Sequence, residues 1–62
     1  MKDINGLELD INDIVMYINN KGLEFEGIII KFLDAKKIEI RYNDGTLVVK
    51  ASETYLLGKS KD

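Results

Sequence analysis

Leu23-Glu24-Phe25-Glu26-Gly27-Ile28-Ile29-Ile30-Lys31-Phe32-Leu33 is the stretch on which the fold turns. It is too long and too mixed for one flat strand. Before Gly27 the odd positions, Leu23 and Phe25, are apolar; after it the even positions, Ile28, Ile30 and Phe32, join in. A glycine where the inward parity changes marks a bulge or a sharp bend. Small closed barrels need such a corner, where one strand serves both halves of the sheet. Gly27 is therefore read as a structural corner and not as a binding residue.

Working outward, four more apolar runs occur at Ile14–Ile18, Ile38–Tyr42, Leu47–Val49 and Tyr55–Leu57. Turn signals separate them: Asn19–Gly22, Asp34–Lys36, Asn43–Gly45 and Ala51–Glu53. Many short strands at close spacing predict an all-β small barrel of five strands. Ile38, Ile40 and Tyr42 alternate with Lys37, Glu39 and Arg41, so the first set points inward. Asn43-Asp44-Gly45 predicts a hairpin turn with Gly45 at the left-handed position. Ser52–Tyr55 reads as a single helical turn capped by Ser52, followed by a short last strand at Leu56–Gly58. At the other end, Asn5-Gly6 signals a tight turn, and residues 1–10 read as an N-terminal hook. Leu7, Leu9 and Ile11 alternate with polar residues, which implies one buried edge. The whole chain, 1–62, reads as one domain, with residues 59–62 as a frayed tail.

A domain of 62 residues buries only about 60% of its unfolded surface and needs extra stabilisation. With no Cys and no His, disulfides and thiolate or imidazole metal sites are excluded. No D-x-D-x-D-G ladder for a hard cation is present. Dense packing or a partner subunit remains, and nine Ile, seven Leu and three Val supply the packing material. No apolar segment follows Met1-Lys2-Asp3, and no run reaches the roughly 20 residues of a membrane span. A cytoplasmic protein without a membrane partner is the expectation. Abundant Ile, Lys and Asn, one Arg and no Pro or Trp point to an A/T-rich genome, such as that of a low-GC bacterium or its phage.

The order of elements resembles the SH3-like barrel in its KOW/Tudor-type version. Asn12-Asp13-Ile14-Val15-Met16-Tyr17 is similar to that family's G-D-x-V-x-aromatic opening, with Asn at position 12 where the family often has Gly. Glu26-Gly27-Ile28-Ile29 is similar to its second-strand G-x-V/I, and the turn at Ser52–Tyr55 also fits. The likeness covers residues 11–57 and concerns the fold. The lead Asp3-Ile4-Asn5-Gly6-Leu7-Glu8-Leu9 looks like the start of many tiny phage and mobile-element proteins with such barrels. That resemblance implies an accessory or inhibitor protein that binds a host or defence protein, in the host cytoplasm if phage-encoded. Tudor-type barrels also hold methylated side chains in aromatic cages. Here Tyr17, Phe25, Phe32 and Tyr42 sit at core parities, and the first hairpin loop has no aromatic residue.

No catalytic constellation is present: there is no His or Cys, no Gly-rich phosphate loop and no G-x-S-x-G. No cofactor is implied. Glu24 and Glu26 share one strand face, which reads as a solvated face in the absence of a desolvating cleft. The leading reading is a non-enzymatic protein-binding module. With Val15 and Tyr17 in the core, Ile14, Met16 and Ile18 face outward beside Ile28 and Ile30, an apolar strip of the kind that marks an interface. Its partner is another protein or a second copy of the chain, as a homodimer. Alternatively, the bent second strand and the hook cover this strip within one molecule. A related reading uses an acidic face, Glu8, Asp10, Asp13, Glu24 and Glu26, against a basic protein.

The second class of function is RNA or DNA binding through Lys36, Lys37, Arg41 and Lys50. The formal charge is −2, divided as −4 over residues 1–35 and +2 over 36–62, and the pI is near 5.0. Nucleic-acid modules usually have a pI above about 9, so this is the alternative reading.

Overall fold

The computed structural model describes residues 1–59. Five strands, β1 Asp13–Ile18, β2 Glu24–Phe32, β3 Lys37–Tyr42, β4 Gly45–Lys50 and β5 Thr54–Lys59, form one antiparallel sheet in the order β4-β3-β2-β1-β5. A single 3-10 turn, Ala51–Glu53, joins β4 to β5. The all-β class, the strand count and the helical turn agree with the sequence reading. Closure does not appear: β4 and β5 end the sheet, and no ladder joins them among the described residues.

With no long helix among the described residues to cover it, the sheet must curl to bury its own inner face. Leu9, Val15, Ile29, Ile38, Ile40, Val49 and Ala51 form the buried core, with Met1, Tyr17, Leu47 and Leu56 packed against it. Burial of each Ile or Val side chain contributes about 1.5–3 kcal/mol. Gly27 lets the sheet curl. A Cβ there would stand 2.7 Å from the Arg41 carbonyl oxygen and 3.4 Å from the Ile40 Cβ. Only a residue without a side chain lets β2 and β3 cross so closely.

The change of parity, however, lies beyond Gly27. Phe25, Gly27 and Ile29 keep one inward parity, and Ile29 is fully buried. The ladder to β3 then shifts between Ile29 and Lys31, so Ile30 is the extra residue of a bulge. Ile28, opposite Ile14, therefore belongs to the outer face with it. The alternation of Leu7, Leu9 and Ile11 also fails as a strand. Leu9 is buried, whereas Leu7 and Ile11 are exposed, because this segment makes one isolated bridge, Lys2 to Glu8, and otherwise turns.

Asp3 organises that turn. Its Oδ1 accepts the N–H groups of Asn5 (2.9 Å) and Leu7 (2.8 Å), and its Oδ2 accepts the N–H of Leu56 on β5 (2.8 Å). Ile4 N–H donates to the Thr54 carbonyl at 2.9 Å. The hook is thereby fastened along β5. Burial acts to raise the Asp3 pKa, but the N–H groups of Leu56, Leu7, Asn5 and Gly6 outweigh it and hold the carboxyl below its ordinary value.

A second carboxylate, Asp13, is 1% exposed. Its Oδ2 accepts the Asp10 N–H at 2.8 Å and its Oδ1 accepts Lys59 Nζ at 2.9 Å. Lys59 also reaches Asp10 at 3.0 Å, and Asp13 first, then Asp10, raise its pKa. Lys59, expected in a frayed tail, is instead the last residue of β5, and residues 60–62 of that expectation lie outside the described residues. Between Asp10 and Asp13 the backbone at Asn12 is left-handed (φ 75°), and its N–H donates to the Ile29 carbonyl at 2.8 Å. Gly45 also has a positive φ, 142°, as its hairpin position predicts. Ser52 makes no cap: Lys50 occupies that position without a side-chain bond, and Thr54 Oγ1 donates to the Ala51 carbonyl at 2.7 Å.

Gly27→Ala should destabilise the chain by about 1–3 kcal/mol, since backbone must move to admit the methyl group; a smaller loss in urea unfolding would show that β2 and β3 separate easily. At position 12, Gly should be neutral or stabilising and Val should cost about 1–2 kcal/mol, the penalty of a left-handed Cβ. Asp3→Asn should lose about 2 kcal/mol at pH 7 through unmatched N–H groups. The folded pKa lies below the unfolded one, so the Asp3 contribution is complete above about pH 3.9 and disappears as pH falls from there through the folded value. The gap between parent and Asp3→Asn in thermal melts should therefore shrink at pH 3.

Candidate functional site

The pleat places Ile14, Met16 and Ile18 on the outer face of β1, opposite the buried Val15. Cross-strand pairing sets their neighbours. Ile14 lies opposite Ile28 of β2 and Gly58 of β5, Met16 opposite Glu26 and Tyr55, and Ile18 opposite Glu24. An apolar strip thus runs along β1 and widens through Ile28 of β2 and Tyr55 of β5. The hook does not cover it: Leu9 enters the core, the hook's hydrogen bonds to the sheet go to the edge of β5, and Asn12 after it bonds to Ile29. Ile18 is 36% exposed, and Leu57, left out of the β1–β5 register by a bulge, is 51% exposed. Ile30 is exposed too, but its bulge takes it out of the ladder that aligns the other four.

One end of the strip opens into a depression of about 320 Å³ lined by Ile14, Glu26, Gly27, Ile28, Arg41, Tyr42 and Asn43. Arg41, directly opposite Ile28, therefore belongs with the apolar strip. Glu26 and Arg41 carry opposite charges into this depression, and no ion pair joins them among the described residues. Glu24 and Glu26 border the strip along β2.

The other three acidic candidates lie elsewhere. Glu8 pairs with the Met1 amino group, Asp10 with Lys59, and Asp13 is buried beneath that pair. The five do not make one surface, because Asp13 and Asp10 hold the chain around Asn12 and Glu8 holds the hook.

The basic candidates also divide. Lys37 lies directly opposite Lys50, with Lys36 adjacent in the turn. Lys2, a residue the sequence reading missed, shares a depression of about 140 Å³ with Lys36 and Ser52. Arg41 stands four residues along β3 from Lys37, about 13 Å away. The N–H groups of Lys36 and Lys37 both donate to Asp34 Oδ1, at 2.8 and 2.9 Å, and with the charges of the same lysines they lower the Asp34 pKa.

Tyr17, Phe25 and Tyr42 form a row on the inner face at one end of the sheet, whereas Phe32, expected in the core, is exposed, and Tyr55 lies on the outer face. Tyr17 and Phe25 stack at 6.3 Å, and Phe25 meets Tyr42 edge-on at 5.4 Å. These rings pack on one another and do not stand round an open space.

Residues 1–56 match the family described as Domain of unknown function (DUF7205). The chain belongs to that family. Its match runs from the hook into the first half of β5, so the matched residues include Asp3, Leu56 and the whole of β1. No curated protein and no solved structure matches the chain.

Ile18→Lys should leave a folded protein, because Ile18 is already 36% exposed. Its stability should stay within about 0.5–1 kcal/mol of the parent in urea unfolding. Val15→Lys, at a fully buried position, should not fold; similar behaviour of the two variants would show that the outer face is covered.

Proposed function

We propose that this chain is a non-catalytic protein-binding module that docks a partner on the outer face of β1. The observation that carries this reading is the strip of Ile14, Met16, Ile18, Ile28 and Tyr55 centred on β1, left uncovered by the hook. Contiguous apolar surface with a polar rim is the usual anatomy of an interface. Met16 is an adaptable contact at its centre. Glu24 and Glu26 on one side and Arg41 at the depression supply that rim.

The strand order and the single 3-10 turn before the last strand support the SH3-like reading of this fold. Within that reading the chain is a small phage or bacterial accessory protein, acting in the cytoplasm as an inhibitor or adaptor of a host or defence protein. A homodimer formed through the same strip is the other protein-binding arrangement. Nucleic-acid binding keeps Lys36, Lys37 and Lys50 at one corner but loses Arg41 to the strip, and so has the weaker support.

Capture from bacterial lysate, with and without nuclease, separates these readings. The tagged chain should retain a stoichiometric protein after nuclease, and Met16→Lys, still folded by circular dichroism, should lose at least about tenfold of it. Equal capture by Met16→Lys would remove the strip as the docking site. Recovery of nuclease-sensitive material alone, weakening steeply with salt, would put the lysine corner first.

A further inference from the structure

The two ends of the sheet are finished differently. Along β5 the hook occupies the edge: Asp3 Oδ2 accepts the Leu56 N–H at 2.8 Å and Ile4 N–H donates to the Thr54 carbonyl at 2.9 Å. A bulge at Leu57 further interrupts that strand. Occupied edges and bulges are the devices by which sheets avoid adding strands. β4 has neither device. Its residues Gly45–Lys50 pair with β3 in unbroken register, without proline, and nothing among the described residues pairs with its other side. Val48, in the middle of β4, is 51% exposed.

Charge at this edge points to one kind of occupant. Lys50 is the only charged residue of β4 and lies directly opposite Lys37, so two like charges share one face. Such pairs weaken a sheet. Lys36 adjoins them in the turn; the nearby acids are Asp34, whose Oδ1 accepts the Lys36 and Lys37 N–H groups, and Glu39, on the same face opposite Val48, and neither forms an ion pair with a lysine among the described residues. Lys36, Lys37 and Lys50 have no ion pair among the described residues.

We propose that the β4 edge accepts an extended segment of a partner protein as a further strand, with an acidic residue beside Lys50 and an apolar residue beside Val48. Main-chain hydrogen bonds supply affinity in this mode, and alternate side chains supply the choice of sequence. A carboxylate beside Lys50 offsets the Lys37–Lys50 repulsion, which a neutral or basic segment leaves in place. A second copy of this chain fits less well. Antiparallel self-pairing about Val48 sets Lys50 beside Thr46 of the other copy, and β4 has no acid to offer. The β4 edge is separated from β1 by β3 and β2, so this inference does not depend on the apolar strip.

The test is titration of the isotope-labelled chain with two short synthetic peptides that carry the two contacts two residues apart on one face: Thr-Val-Thr-Glu-Thr-Val-Thr (the Glu peptide) and the same peptide with Lys in place of Glu (the Lys peptide). The Glu peptide should shift the amide resonances of Gly45–Lys50 and slow their exchange, and the Lys peptide should bind about tenfold more weakly. Lys50→Glu, an exposed and foldable change, should reverse that preference. The proposal is overturned by any of four results: no saturable shift with either peptide, equal binding of both, shifts confined to β1 and β5, or lysine-corner shifts with inorganic phosphate but none in β4 with the Glu peptide. A dimer of the chain alone that Val48→Lys dissolves would also overturn it, because the occupant would then be a second copy.

Discussion

The approach of β2 to β3 at Gly27, where the Arg41 carbonyl leaves 2.7 Å for a side chain that is not there, is the constraint on which the rest depends. A five-stranded sheet without a helix has nothing to bury its inner face against except itself. It must bend, and the bend needs two strands to cross at closer than side-chain distance. With that contact made, Ile29 and Ile40 face each other across β2 and β3 and become the middle of the core. The bulge at Ile30 completes the bend by removing one residue from the ladder, and pairing resumes at Lys31 with Glu39 and Phe32 with Ile38.

Buried carboxylates then secure what the bend leaves loose. Asp3 and Asp13 are both nearly inaccessible; Asp3 accepts three backbone N–H groups, and Asp13 accepts one backbone N–H and the Lys59 ammonium. No buried side-chain nitrogen or oxygen among the described residues lacks a partner. In a domain too small for a large core, such fully matched polar groups add specificity without the penalty of an unsatisfied charge. Their positions also separate structure from surface. Because Asp3 and Ile4 lie along the β5 edge, that edge is closed, and the hook is drawn away from the outer face of β1. The half-exposed strip and the bare β4 edge are what the hook, fastened along β5, leaves uncovered.

Much of this was legible in the chain. Short alternating runs and turn residues located the strands, since strand periodicity and turn chemistry are local. The outward set Ile14, Met16 and Ile18 followed from parity once Val15 and Tyr17 were placed inside. Position 12 carried a hidden signal: Asn stands where the resembling family often has Gly, and Asn12 has the positive φ that both residue types tolerate. The reading failed where outcome depended on distant partners. Three consecutive isoleucines, Ile28, Ile29 and Ile30, have no intrinsic parity, so only the β3 register decides that Ile29 goes in and Ile30 bulges. Nothing in Asp10, Asp13 and Lys59 marks them as one cluster, because the lysine lies 46 residues from Asp13.

By itself, then, the amino-acid sequence determined the all-β class, the five strands, the hairpin at Asn43–Gly45 and the absence of His and Cys chemistry, because each follows from residue type or short-range spacing. Tertiary structure alone decided that the sheet stays open, that Arg41 joins the apolar strip and not the lysines, and that Asp13 is a buried strut and not part of an acidic face. The reason is physical: alternation tells which residues share a face of one strand, but which strands lie side by side, and in what register, is set by long-range pairing around a close contact that only Gly27 permits.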